Sequence, residues 1–163
     1  MAKNFKLAVV AIVVSAISSS MLTATLVKPK WQEMIFTLEV TENERLDIGS
    51  SGHSHGDIDV VRGDLIVSGK KIGSLTSLRQ VIDINEADGS IEEDRMATSV
   101  VELDGGTINL QMLYSGIYGK PTAGHDEVVI TGGTGKYVGI RGEASWILNA
   151  DGHRDMKLHY SLD

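Results

Sequence analysis

The stretch "HSHGDID", residues 53–59, sets His53, His55, Asp57 and Asp59 at alternate positions. An extended backbone would bring two imidazoles and two carboxylates to one face. His-X-His is half of a metal site, but no third ligand follows at suitable spacing, and Gly52 and Gly56 mark the segment as a loop. A second stretch, "VVITGGTGKYVGIRGEASW" at 128–146, puts a lysine after a glycine-rich turn, as phosphate-binding loops do. Those loops need a glycine, four residues, then Gly-Lys and a hydroxyl residue, opening a helix. Here Ile130 stands at the first glycine, Tyr137 at the hydroxyl, and the following residues alternate as a strand does. The glycines therefore read as a turn between strands, supplying positive φ.

A third candidate is Glu39, which alternation places with Ile35, Thr37 and Thr41. On a face turned into an apolar interior, its carboxylate could exchange a proton or polarise a substrate oxygen. On a solvated or interfacial face it would be a surface acid or the ion-pair partner of an arginine such as Arg79. No serine sits in a strand-to-helix elbow, and the chain has no cysteine, which excludes a thiol nucleophile, a disulfide framework and a thiolate metal site. Tyr114, Tyr118, Tyr137, Tyr160 and Trp146 read as packing, or as the walls of a pocket; His125, His153 and His159 lie near turns. Nothing in these patterns calls for a metal or a cofactor.

With 163 residues the chain suits one domain with a real core. A formal net charge of −7 argues against a nucleic-acid partner, which would need a basic surface. Residues 1–27 differ in kind: Lys3 and Lys6 precede "LAVVAIVVSAI" and then "SSS", the layout of an export signal, with cleavage expected after Ser18 or Ser20. The alternative is an uncleaved membrane anchor, since the uncharged run from Leu7 to Val27 is long enough to cross a bilayer. The expected organisation is a signal or anchor over 1–27 and a single domain over 28–163, exported.

Eight alternating runs follow, at 33–41, 57–67, 71–84, 95–103, 106–116, 127–131, 138–149 and 155–162, separated by turn residues such as "SG" at 68–69 and "DGG" at 104–106. No helical period is sustained outside the leader. Eight strands at hairpin spacing predict an all-β antiparallel sandwich or, more economically, a closed barrel without edges. Met156, Leu158, Tyr160 and Leu162 share one face of the last strand, and Ile140, Gly142, Ala144, Trp146 and Leu148 one face of the strand before it. Several strands are apolar on both faces, which predicts that another subunit covers part of the outside.

The glycine stretch, with a following strand ending "MKLHYSLD", resembles the C-terminal half of the allene oxide cyclase and dirigent proteins. Upstream, "GDIDVVRGDLIVSGKKIGSLTSLRQVID" is similar to that family's strand, glycine hairpin, basic residue, "VG" and apolar strand. The likeness covers about residues 33–163. It implies an eight-stranded antiparallel β-barrel with an apolar lumen, dimeric or trimeric, that holds a small hydrophobic molecule and guides its cyclisation or stereoselective coupling by orientation. Residue by residue, Glu39 matches a lumenal glutamate of the cyclases, Thr41 stands at their lumenal asparagine, and Arg79 at their lumenal cysteine; Asp64 of "RGDL" matches an acid of the dirigent proteins. The resemblance thus implies Glu39 as the polarising or proton-transferring group, with Thr41, Asp64 and Arg79 around the substrate and no metal or cofactor. A noncatalytic ligand-binding or scaffold barrel is the alternative.

Overall fold

The computed structural model describes residues 28–162, so the signal or anchor reading of residues 1–27 lies outside the described residues. The chain forms β1 (Gln32–Leu46), β2 (Ile58–Val67), β3 (Lys70–Ala87), β4 (Ser90–Leu103), β5 (Gly106–Ile117), β6 (Gly124–Gly133), β7 (Arg141–Leu148) and β8 (Arg154–Ser161). Each strand is antiparallel to the next and β8 closes on β1, giving an eight-stranded barrel. Among the described residues the one helical element is a 3₁₀ turn at Gly135–Tyr137.

Every alternating run of the sequence contains a strand, though the run at 138–149 is a strand only from Arg141, with Ile140 in the glycine loop, and several strands are longer than the pattern suggests. β1 continues past residue 41 to Leu46, and β4 begins at Ser90 instead of 95. The acid-rich "NEADGSIEED" reads as a loop by composition. It is nevertheless paired throughout, because Asp88 and Gly89 take φ of 51° and 73°, the doubly positive turn that matches the twist of a tight hairpin. Ser68 and Gly69, at 52° and 74°, close the β2–β3 hairpin in the same way.

The barrel interior has two unlike halves. One is packed shut by Phe36, Leu65, Ile108, Leu110 and Leu158, none more than 2% exposed. The glycine loop caps this end and sets Tyr137 and Ile140 into the core. It docks through the Thr134 and Lys136 amides, which donate to the carbonyls of Thr107 and Gly105. Gly135, at φ 58°, has to be glycine: a Cβ there would lie 2.0 Å from the Gly105 carbonyl oxygen. The expected glycine turn is therefore present, and its role is to seal the barrel.

The other half is polar. Across the wall, Arg45, Asp59, Arg79, Ala97 and Met112 are successive cross-strand neighbours on the inner face, and one step further out come Val81, Arg95 and Tyr114. The apolar lumen expected from the resemblance is thus only half of what the barrel contains.

Candidate functional site

A register shift in β1 between Val40 and Glu42 decides which residues reach the lumen. Before it, Met34, Phe36 and Leu38 point inward, and after it Arg45 does, while Glu39 lies on the exposed outer face. Glu39 pairs laterally with Asp64, also on the outer face, whose carboxylate accepts from Lys71 Nζ at 2.7 Å. Thr41 is exposed at the bulge and donates to the Arg62 carbonyl. Of the four residues singled out by resemblance, the structure brings Arg79 into the lumen and leaves Glu39, Thr41 and Asp64 outside. Leu38 and Leu65 claim the inward positions on these two strands, and alternation turns their neighbours out.

The polar mouth holds a network of two arginines and three acids. Arg45 makes a two-point contact with Glu93, Nη2 to Oε1 at 2.7 Å and Nη1 to Oε2 at 3.2 Å. It also donates to Asp57 at 3.0 Å and lies 3.6 Å from Asp59. Arg95 donates to the same Glu93, through Nε at 3.0 Å and through Nη2, and sits 3.5 Å from Asp59. Asp57 and Glu93 are fully buried. Burial pushes the Asp57 carboxyl up, but the Ile48 amide, Arg45, and the Ser54 amide and hydroxyl together outweigh it and hold it down to about 2. Burial opposes the charged form of Glu93 as well, and the hydrogen bonds from Arg45 and Arg95 overcome it, so its pKa is lowered. The hydrogen bond to Glu93 raises Arg45 well above the usual arginine range.

Next to this network opens a pocket of about 380 Å³. Trp146 and Tyr114 form its walls, and the Tyr118–Thr122 segment its rim. The Arg45 guanidinium lies over the Tyr118 ring at 4.9 Å, and His53 meets that ring edge-on at 3.9 Å. His53 and His55 diverge, toward Glu93 and Asp83 respectively, each at 3.5 Å. Among the described residues no group of three or more histidines and acids is arranged to hold a metal ion.

Arg79 and Arg154 also line the pocket, and both continue into the narrow crevice between it and the apolar half, where Ser77 and Ser99 share a hydrogen bond of 2.9 Å. Arg154 stacks over Trp146 at 5.5 Å. Burial and the like charge of Arg79 both lower its pKa. The residues of this mouth were hard to find in the sequence: Arg45, Glu93 and Arg95 fall in or beside stretches that read as charged loops. The legible signal was alternation itself, since Glu93, Arg95, Ala97, Ser99 and Val101 keep one parity.

No family model matches the chain, and no curated protein matches it. Solved structures do. A protein described as pyocyanin demethylase superposes with a TM-score of 0.65 at 23% identity, over 80% of this chain and 100% of that one. The Diels-Alderase AbmU from Streptomyces koyangensis superposes at 0.59 and 16% identity, over 80% of this chain and 64% of that one. A nonspecific heme-binding cyclase that catalyses [4 + 2] cycloaddition during neoabyssomicin biosynthesis superposes at 0.59 and 16% identity, over 99% of this chain and 81% of that one. The chain shares its barrel fold with these proteins.

Proposed function

We propose that this chain is a small-molecule-binding barrel that holds a reactive ligand at the polar mouth of its lumen and guides its cyclisation or stereoselective coupling. The observation that carries the reading is the 380 Å³ pocket itself, with aromatic walls at Trp146 and Tyr114 and polar side chains converging on it. That is the form expected of a ligand site. The fold likeness to proteins described as a Diels-Alderase and a cyclase supports a reaction governed by orientation, in which the barrel selects one conformer of its guest. Arg79 is the residue of the resemblance-based set with access to such a guest, and any role of Glu39, Thr41 or Asp64 would be exercised from the outer wall.

One observation favours the second reading, a noncatalytic carrier. The acids of the mouth, Asp57, Asp59 and Glu93, are all engaged in ion pairs, which leaves no free carboxylate there among the described residues for proton transfer. Native mass spectrometry of protein purified from its own source, followed by incubation of the recovered compound with the protein, tests both. A retained compound converted faster, or to a different isomer ratio, than in buffer supports the guiding reaction. A compound retained and returned unchanged supports the carrier.

We further propose a homo-oligomer. Met96 and Leu113 are lateral neighbours on the outer wall, 41% and 61% exposed, and with Val129 they form an apolar stripe suited to a second copy.

A further inference from the structure

Among the described residues five cationic side chains line the pocket, Arg45, Arg79, Arg95, Lys120 and Arg154, against the single carboxylate of Asp59. This is a positive chamber in a chain whose net charge is −7. Two of the five are accounted for, since Arg45 and Arg95 are neutralised by Asp57, Asp59 and Glu93. Asp59 is the cross-strand neighbour of Arg79, yet its ion pairs run to Arg45 and Arg95. Arg79 and Arg154 have no ion-pair partner among the described residues, and the Nε of each is buried without a hydrogen-bond acceptor.

Orphaned buried donors are rare in folded proteins because each forfeits its hydration without compensation. Here two of them, on Arg79 and Arg154, line one pocket. The buried side-chain nitrogens without a hydrogen bond among the described residues are His53 Nδ1, Arg79 Nε, His125 Nε2 and Arg154 Nε. Of these, the two arginine nitrogens are obligatory donors on residues that line the pocket, whereas an imidazole nitrogen can be an acceptor and His53 Nδ1 has the Glu93 carboxylate at 3.5 Å. A second arginine beside the first adds like-charge repulsion that an anion between or against them would relieve.

We infer that the ligand of this pocket is an organic anion, a small planar conjugated carboxylic acid, whose carboxylate is received by Arg79 and Arg154 and whose ring lies against Trp146 and Tyr114. Guanidinium groups suit a planar two-oxygen anion, and the aromatic walls suit a flat conjugated body. This rests on the reading of the lumen as a ligand site and narrows it, replacing a purely hydrophobic guest with an amphipathic one.

The test is isothermal titration calorimetry of the whole protein with matched pairs: 2-naphthoate and 2-naphthamide, cinnamate and cinnamamide, with naphthalene as the uncharged hydrocarbon. Charge-assisted hydrogen bonds to a buried guanidinium predict that each acid binds about tenfold to a hundredfold more tightly than its amide. Arg79→Gln and Arg154→Gln should each remove most of that preference, while leaving amide affinity within about threefold. Because the acid-to-amide ratio is read on the unaltered protein, the result does not depend on how the variants fold. Amides binding as tightly as acids would overturn the anion inference and leave the lumen reading standing. If no acid, amide or hydrocarbon bound at all, the lumen reading itself would fall with it.

Discussion

Arg45 and Glu93, 48 residues apart in sequence, meet at the mouth of the barrel in a two-point contact of 2.7 and 3.2 Å, and Arg45 reaches Asp57 at 3.0 Å from the same nitrogen that makes the shorter of the two. Removing one partner from such a contact leaves buried charge without compensation. Arg45→Met should therefore destabilise the fold by about 3 kcal/mol, measured by urea unfolding at neutral pH. A change under about 1 kcal/mol would mean that Arg95 alone can hold Glu93.

Arg154 predicts the opposite sign. It carries a buried charge without an acid partner among the described residues, next to the charge of Arg79. Arg154→Met should leave the ligand-free protein as stable as the parent or about 1 kcal/mol more stable, the pattern expected where stability is given up at a binding site. Thermal unfolding of both variants side by side reads the contrast, and a loss at Arg154 equal to that at Arg45 would place Arg154 in the structural network.

The acid network fixes the pH dependence. The folded-state pKa values of Asp57, about 2, and of Glu93 lie below their ordinary values of 3.8 and 4.5. The unfolded chain therefore takes up protons at these groups first, so their contribution is complete above about pH 4.5 and is lost as pH falls toward 2. Stability measured against pH should decline steeply over that window, and Asp57→Asn should start lower and decline less. Parallel profiles for parent and variant would show that other carboxylates govern the acid limb.

Two glycine substitutions separate backbone strain from steric exclusion. Gly89 and Gly135 both have positive φ, 73° and 58°, but a Cβ at Gly89 meets nothing within 4 Å while one at Gly135 falls 2.0 Å from a carbonyl oxygen. Gly89→Ala should cost about 1 kcal/mol, and Gly135→Ala distinctly more, about 3 kcal/mol, because the sealing loop must shift. Equal costs would indicate that the loop is free to move.

The barrel was legible because long stretches of its inner face alternate between the bulges. Met156, Leu158 and Tyr160 in β8, and Ala144 and Trp146 in β7, are buried as their parity requires. The site was much less legible. Residues 90–94 look like an acidic loop, and nothing in composition distinguishes a solvated glutamate from Glu93, which is buried against Arg95, two residues on, and against Arg45, which arrives from a distant position. The Glu39 assignment followed a motif in β1, but Phe36 and Leu38 set that strand's parity, and the bulge after Val40 brings Arg45 inward only later. Glu39→Gln should accordingly leave naphthoate affinity within about twofold of the parent, as expected for a surface change away from the ligand. A tenfold change would mean that the outer wall communicates with the lumen.

The most direct measurement is a crystal structure of the protein soaked or grown with 2-naphthoate. The account predicts the naphthalene ring against Trp146 and the carboxylate within hydrogen-bond distance of Arg79 or Arg154. Naphthoate seated on the outer wall beside Lys71, or a mouth closed by its own side chains, would contradict it.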